Sequence, residues 1–337
     1  MSLDWTKLRE VLLQHESFLI TTHVRPDADA LGSELGLAAI LKAFDRQVII
    51  VNATAPPPNL HFLNPDGEIK KLNEDISKSD LPDTDVQVVV DTSAWQQLGA
   101  MAEVVQSRGG RRVVIDHHVS SDDMGALEFK DVQSPATGEL IYNAACALGV
   151  EFDAVTASAL YAAIATDTGW FRFPSTNADT MRVVGALIDW GAEPHRLYNL
   201  LYEQNSHARV KLAGRVMQRA TVECDGRLAW ISTTAEDFSE TGAVPSDTES
   251  LVNQCLTISG TDAAFIAVQL PSGVNKFSLR CRDPYNVAQL AEQFGGGGHR
   301  LASGATVSGD FKSAVESVRK AFLKMLKSVD TAGQGSA

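Results

Sequence analysis

Between Phe18 and Lys130 the chain alternates short apolar runs with stretches whose apolar positions recur at helical spacing. The runs are FLITTH, QVIIVN, VQVVVD and RRVVIDHH, and DADALGSELGLAAILKAF is the clearest helical stretch. Unbroken Val and Ile runs fit strands buried on both faces, as in a parallel sheet covered by its crossover helices. Helical patterning then dominates through GELIYNAACALG, AVTASALYAAIATD, ADTMRVVGALIDWG and HRLYNLLYEQ. From about residue 215 the pattern changes to strand pairs: ATVECDGRLAWISTT turns at Asp225-Gly226, and DAAFIAVQLPSGVNKFSLRCRD turns around Pro271-Ser272-Gly273. The expected fold class is α/β, a parallel sheet with crossover helices, followed by a smaller α+β domain. The expected boundaries are 1–195 for the first domain, 196–218 for a helical connector with His and Arg on its polar side, and 219–328 for the second domain. Residues 329–337, small and polar, read as a loose tail.

With 337 residues, 44% of them apolar, the chain is long enough for two ordinary domains, and disorder as its main state is excluded. The 29 Lys and Arg are outnumbered by 42 Asp and Glu, giving a formal charge of -13. Such a balance argues against wrapping a long polyanion electrostatically, so any nucleic-acid substrate is small or locally held, and long duplex is not expected as a partner. The first thirty residues lack a basic start with an apolar core and cleavage site, and no apolar run approaches membrane-spanning length. The reading is a soluble, cytoplasmic protein with no membrane partner. Cys146, Cys224, Cys255 and Cys281 stand far apart without a CxxC pair, so they are expected to be buried free thiols rather than a zinc knuckle or a disulfide framework.

Four acidic and histidine clusters share one placement, each following a strand-like run or ending a strongly apolar helix. They are His23 with Asp27 and Asp29 after FLITT, Asp91 after VQVVV, Asp116-His117-His118 after RRVVI, and Asp167 after ASALYAAIAT. In open parallel sheets the carboxyl ends of the strands form the ligand crevice, so these clusters are placed to converge. Asp91 alone reads equally well as a cap or turn residue, and one of Asp27 and Asp29 suits the start of the following helix. Capping does not account for His23 or for the paired histidines. Several carboxylates around two or three imidazoles suit Mn²⁺, Fe²⁺, Co²⁺ or Zn²⁺ better than an all-oxygen Ca²⁺ site. This many acids favours two ions, an arrangement that at about 3.5–4 Å separation serves phosphoester hydrolysis.

A different signal lies in FGGGGHRLASGA, after the helix-like NVAQLAEQF. Consecutive glycines let backbone N–H groups approach an anion, and the adjacent His299 and Arg300 suit a phosphate or carboxylate, so ligand contact is favoured over a flexible loop. Arg280 and Arg282, spaced by two in FSLRCRD, share one face of a strand; ligand contact by one of them and simple exposed strand charge are equally good readings.

In order and context, HVRPDADALGS, VVVDTS, VVIDHH and AIATDTGWF resemble the four motifs of the DHH phosphoesterase superfamily, and SLRCRD with FGGGGHRLASG resembles its smaller DHH-associated domain. The match covers nearly the whole chain, and its two-domain length is most similar to the oligoribonuclease (nanoRNase) and 3′-phosphoadenosine 5′-phosphate phosphatase branch. The resemblance implies two Mn²⁺ ions: His23 and Asp27 on one, Asp29 and His117 on the other, Asp91 bridging and Asp167 completing the site. It implies that His118 faces the substrate phosphate and that Asp116 orients an imidazole, these two being the catalytic groups. It further implies that Arg280 with Gly296, Gly297, Gly298 and His299 holds the nucleotide from across a cleft, and that the chain forms a homodimer.

The implied activity is two-metal hydrolysis of short oligoribonucleotides to nucleoside monophosphates, with adenosine 3′,5′-bisphosphate a further candidate substrate. A first alternative keeps the chemistry but takes pyrophosphate, polyphosphate, or a linear or cyclic dinucleotide. A second is a non-catalytic nucleotide sensor, against which the intact ligand set argues.

Overall fold

The computed structural model describes residues 3–333, and the chain divides into two compact units between Gln204 and Asn205. In the first, β1 (Ser17–Thr21), β2 (Gln47–Asn52), β3 (Ile69–Lys71), β4 (Val86–Val90), β5 (Arg111–Asp116) and β6 (Leu127–Lys130) form one sheet in the order β3-β2-β1-β4-β5-β6. Every pairing in it is parallel. Helix α1 (Thr6–Gln14) precedes the sheet, α2 (Ala28–Ala43) crosses from β1 to β2, and α3 (Ala100–Ser107) from β4 to β5. Four helices follow β6: α4 (Thr137–Leu148), α5 (Ala154–Asp167), α6 (Ala178–Asp189) and α7 (Pro194–Tyr202).

Alternate strand residues feed two cores, which is why the strands read as unbroken apolar runs. Phe18, Ile20, Val88, Val90, Val113 and Ile115 pack with α2, α4 and α5, while Leu19, Val89 and Val114 pack with Met101 and Val104 of α3. The sequence reading located β1, β2, β4 and β5 but not β3 or β6, which are short, charged edge strands. The chain leaves β1 toward β2 and β3 and returns as β4 on the other side of β1. The carboxyl ends of β1 and β4 therefore flank a topological switch point, where open sheets of this type bind ligands.

The second unit has a mixed sheet of β7 (Thr221–Glu223), β8 (Leu228–Thr233), β9 (Ala263–Gln269), β10 (Asn275–Cys281), β11 (Gly297–His299) and β12 (Ala302–Val307), ordered β11-β12-β10-β9-β8-β7. Only β8 and β9 pair in parallel. Its helices are α8 (His207–Gln218), α9 (Ala235–Thr241), α10 (Leu251–Cys255), α11 (Val287–Glu292) and α12 (Phe311–Gly333). On β9, Ala263, Phe265 and Ala267 face α11 and α12, and Ala264, Ile266 and Val268 face α8, α9 and α10. Both expected hairpins form, with Asp225, Gly226 and Gly273 at positive φ in their turns.

Three expectations need correction. The stretch expected to be one connector is two helices, each anchored in a different unit: Leu197 of α7 joins the first core, and Leu212 and Val216 of α8 pack under the second sheet. The expected tail is helical as far as Gly333, because α12 meets no Pro or earlier Gly that would end it, and 334–337 lie outside the described residues. Cys146 is exposed rather than buried, since the apolar side of α4 is formed by Ile141, Ala144 and Ala145.

Candidate metal centre

His23 lies just beyond β1, Asp91 directly after β4, and His117 and His118 directly after β5, whose last residue is Asp116. Asp27 caps α2, its Oδ1 accepting the Asp29 and Ala30 N–H groups at 3.0 and 3.1 Å, which leaves Oδ2 for another partner. Asp29 sits inside that first turn, buried, and accepts two backbone N–H groups at the start of α4: Thr137 on Oδ2 and Gly138 on Oδ1, both at 2.8 Å. Asp167 is the last residue of α5.

These side chains come together. Ligand atoms of His23, Asp27 and Asp91 lie within 4.8 Å of one another, as do those of Asp29, His117 and Asp167, and those of Asp91, His117 and His118. Asp91 thus shares one group with His23 and another with His117. His23 Nε2 is 3.3 Å from Asp91 Oδ2, and the Thr137 hydroxyl donates to Asp91 Oδ1 at 2.8 Å. Asp91 holds this position with a left-handed backbone, φ 60°, which costs a non-glycine residue about 1 kcal/mol or more.

His117 Nδ1 donates to the Ser134 carbonyl at 3.1 Å, which turns Nε2 toward Asp29, Asp91 and Asp167 at 3.7, 3.6 and 3.4 Å. Burial first, then repulsion from Asp91 and Asp167, pushes the Asp29 carboxyl well above the usual carboxylate range. Asp91 is raised in the same way by burial and by Asp27, and burial raises Asp167. Among the described residues the ion-pair partners of these three acids are histidines alone. Three carboxylates around imidazole nitrogens, two of them buried, are a donor set that divalent cations fit, the ions supplying the charge the site lacks.

Asp116 stands behind this set. It is fully buried, and its Oδ1 accepts His118 Nδ1 at 2.9 Å and the His118 N–H at 3.0 Å. Its Oδ2 accepts the Ser93 hydroxyl at 2.7 Å and pairs with Lys130 Nζ at 3.2 Å. Burial opposes its charge, but the bonds from His118 and Ser93 outweigh it and hold the carboxyl at about 2. The bond to Asp116 in turn raises the pKa of His118, whose side chain is 49% exposed and so open to a ligand.

The substrate-binding candidates belong to the second unit. Gly297, Gly298 and His299 form the exposed edge strand β11 against Gly304, Ser303 and Ala302, not a free loop. A Cβ on Gly296 would lie 2.1 Å from the Gly304 carbonyl oxygen, and one on Gly298 2.8 Å from that of Ala302, so close strand approach by itself requires both glycines. Arg280 reaches Asn253 Oδ1 with Nε at 3.2 Å, and Arg282 turns to the Thr261 and Leu256 carbonyls.

The DHH family, N-terminal domain matches residues 17–180, and the DHHA1 domain matches residues 231–329. The chain is 32% identical to the bifunctional oligoribonuclease and PAP phosphatase NrnA of Thermus thermophilus, over 94% of each protein. The chain belongs to the DHH family. A second DHH relative, NrnA of Bacillus subtilis, is 29% identical over 90% of this chain and 93% of its own. The crystal structure of an exopolyphosphatase-related protein from Bacteroides fragilis superposes with a TM-score of 0.86 at 27% identity, covering 95% of both chains. As a DHH member the chain is a phosphoesterase that uses divalent metal. Among the described residues no helix is long and apolar enough to cross a membrane.

Sequence reasoning did not pick out the groups that hold the DHH residues in place: Thr137, Gly138, the Ser134 carbonyl, Ser93 and Lys130. The visible signals were Ser93, inside VVVDTS but given no role, and the small, polar SPAT segment before the helical pattern of GELIYN, which reads as an ordinary loop.

Proposed function

We propose that this chain hydrolyses very short oligoribonucleotides to nucleoside monophosphates and also acts on adenosine 3′,5′-bisphosphate, with two Mn²⁺ ions. The observation that carries the reading is the meeting of His23, Asp27, Asp29, Asp91, His117 and Asp167 at the β1/β4 switch point. The substrate class rests on the two relatives named as oligoribonuclease and PAP phosphatase.

In this reading His23, Asp27 and Asp91 hold one ion, and Asp29, His117, Asp167 and the shared Asp91 the other. Bound there, the pair supplies an activated water and neutralises charge on the phosphoryl oxygens. His118, its Nδ1 committed to Asp116, presents Nε2 to a phosphoryl oxygen, and its raised pKa favours the protonated, donating form. Arg280 and the Gly296–His299 strand bind substrate anions. With a charge of -13 the protein has little background attraction for a long phosphate backbone, so it selects chains of two to about five nucleotides. The family resemblance adds a homodimer, and the sequence reading adds a cytoplasmic location.

The test is product analysis after Mn²⁺-loaded protein meets RNAs of graded length, adenosine 3′,5′-bisphosphate, pyrophosphate and polyphosphate. Dinucleotides are expected to give the highest kcat/KM, with a shallow loss as salt rises. Clear preference for a twenty-nucleotide RNA, or for pyrophosphate, would overturn the assignment.

A further inference from the structure

The first unit also buries acids that are not among the metal-centre residues, and Glu34 is the most enclosed of them. Glu34 of α2 is fully buried; its Oε2 accepts Asn52 Nδ2 at 2.9 Å, and its Oε1 has no hydrogen-bond partner. Asn52, the last residue of β2, is also fully buried, and its Oδ1 accepts the Thr22 N–H at 3.1 Å and the Thr21 hydroxyl at 3.3 Å. Two donors on one side of the amide fix its orientation, so the Nδ2 side must face Glu34. Thr22 then donates its own hydroxyl to the Val90 carbonyl at 2.8 Å.

These bonds form a continuous strut, from α2 through the end of β2 and the end of β1 to the end of β4. Its two last members are the residues that directly precede His23 and Asp91, whose side chains stand 3.3 Å apart. The backbone pairing of β1 with β4 ends at Thr21 and Val89, so beyond that register this side-chain chain takes over the spacing of the two strand ends.

We propose that Glu34 and Asn52 are positioning residues of the metal centre, which set His23 against Asp91 by way of Thr22. The proposal rests on reading this cluster as a metal site. What Asn52 requires of residue 34 is an acceptor oxygen, not a charge, because burial pushes the Glu34 carboxyl up to about 8 and leaves it mostly protonated at neutral pH. Gln at 34 preserves that oxygen, whereas Met fills a similar volume without it. Thr22→Val cuts the strut at its other end with almost no change in shape.

The experiment is calorimetric titration of Mn²⁺ into metal-free wild type, Glu34→Gln, Glu34→Met and Thr22→Val, with circular dichroism to establish folding. Glu34→Met and Thr22→Val are expected to weaken one of the two ions by about 10–100-fold, the range for lost supports of metal ligands, while Glu34→Gln binds as wild type does. Wild-type affinity for both ions in folded Glu34→Met and Thr22→Val would overturn the proposal, and so would a Gln variant as impaired as the Met variant. If Glu34→Met does not fold, Thr22→Val decides by the same criterion. Failure of the wild type to bind Mn²⁺ is a separate result, which overturns the metal reading itself.

Discussion

Gly32 of α2 lies so close to Ala159 of α5 that a Cβ on the glycine would come within 2.4 Å of the Ala159 carbonyl oxygen. Gly138 of α4 is held as tightly, its absent Cβ falling 2.8 Å from the Ala163 Cβ and 3.3 Å from Asp29 Oδ1. The helices that carry Asp29 and Asp167 thus approach through missing side chains, and their spacing sets the distance between two of the site's acids. Gly32→Ala must move a backbone, and overpacking of this kind costs about 1–3 kcal/mol. The expected outcome is a lower melting temperature together with weaker Mn²⁺ binding. A melt and a metal titration on one preparation check it, and unchanged values in both would count against this account of the spacing.

Asp29, Asp91 and Asp167 make the metal-free protein sensitive to pH in a definite direction. Their carboxyls are raised in the folded state, so that state binds more protons than the unfolded chain at pH values above the ordinary carboxylate range. Stability of the metal-free protein therefore falls as pH rises through the window between the unfolded value, about 3.9, and the raised folded values. The metal-loaded protein is relieved of this burden, so the gap in melting temperature between loaded and metal-free forms should widen from pH 5 to pH 8.

Asp91→Asn separates function from stability. Replacing a carboxyl whose ionisation burial opposes is expected to raise the melting temperature of the metal-free protein, while most turnover is abolished if Asp91 is the proposed shared ligand of both ions. Thermal scans after chelation, paired with activity assays, read both effects. Wild-type turnover that survived exhaustive chelation would contradict the two-ion assignment.

In the second unit, Asp237 accepts both arms of Arg219 at 2.8 and 2.9 Å, pairs with Arg215 at 2.7 Å, and receives the Thr234 N–H at 2.9 Å. Burial works against its charge, but the bonds from Arg219 and Thr234 win and hold its carboxyl below the usual range. Its contribution is present above the unfolded pKa and lost as pH falls through the lower folded value. Because Arg219 is 42% exposed, solvent screening limits the loss in Asp237→Ala to about 1–3 kcal/mol. Hydrogen exchange of β8 and β9 should show it at pH 7 and show a smaller difference below pH 3.

His299 and Arg280 are expected to act on affinity rather than on the chemical step. Replacing either with Ala should raise KM for a dinucleotide by about tenfold, with a smaller fall in kcat, the pattern of lost uniform binding. Steady-state kinetics on the Mn²⁺-loaded protein distinguish this from a large kcat loss at constant KM, which would place the residue at the reacting phosphate instead.

Much of the fold and of the ligand set was legible in the sequence for one physical reason. Strands buried on both faces are largely apolar, so the acids and imidazoles at or just past their carboxyl ends, His23, Asp91 and Asp116 through His118, stand out against Val and Ile. Asp167 was legible because α5 is apolar almost to its last residue. Glu34 and Asn52 were not, because a single polar residue inside an apolar stretch gives no sign of whether it faces water or a buried partner. Thr137 and the Ser134 carbonyl act through contacts more than a hundred residues and seventeen residues away, respectively, which local pattern does not encode. The glycine tract was legible as unusual, but its strand pairing was hidden, since glycine has no side chain with which to register a face.

Asp29 gains its two N–H partners from residues 108 and 109 positions later in the chain. Helix α2, buried on nearly every side, likewise waits for α4 and α5 to cover it. During synthesis the strands and most of the acids and imidazoles leave the ribosome first, and the walls that hold them leave last. A nascent chain stalled after β6 would display the DHH residues already in order along the polypeptide, but in an open half-domain with a bare apolar helix, more in need of a chaperone than capable of catalysis.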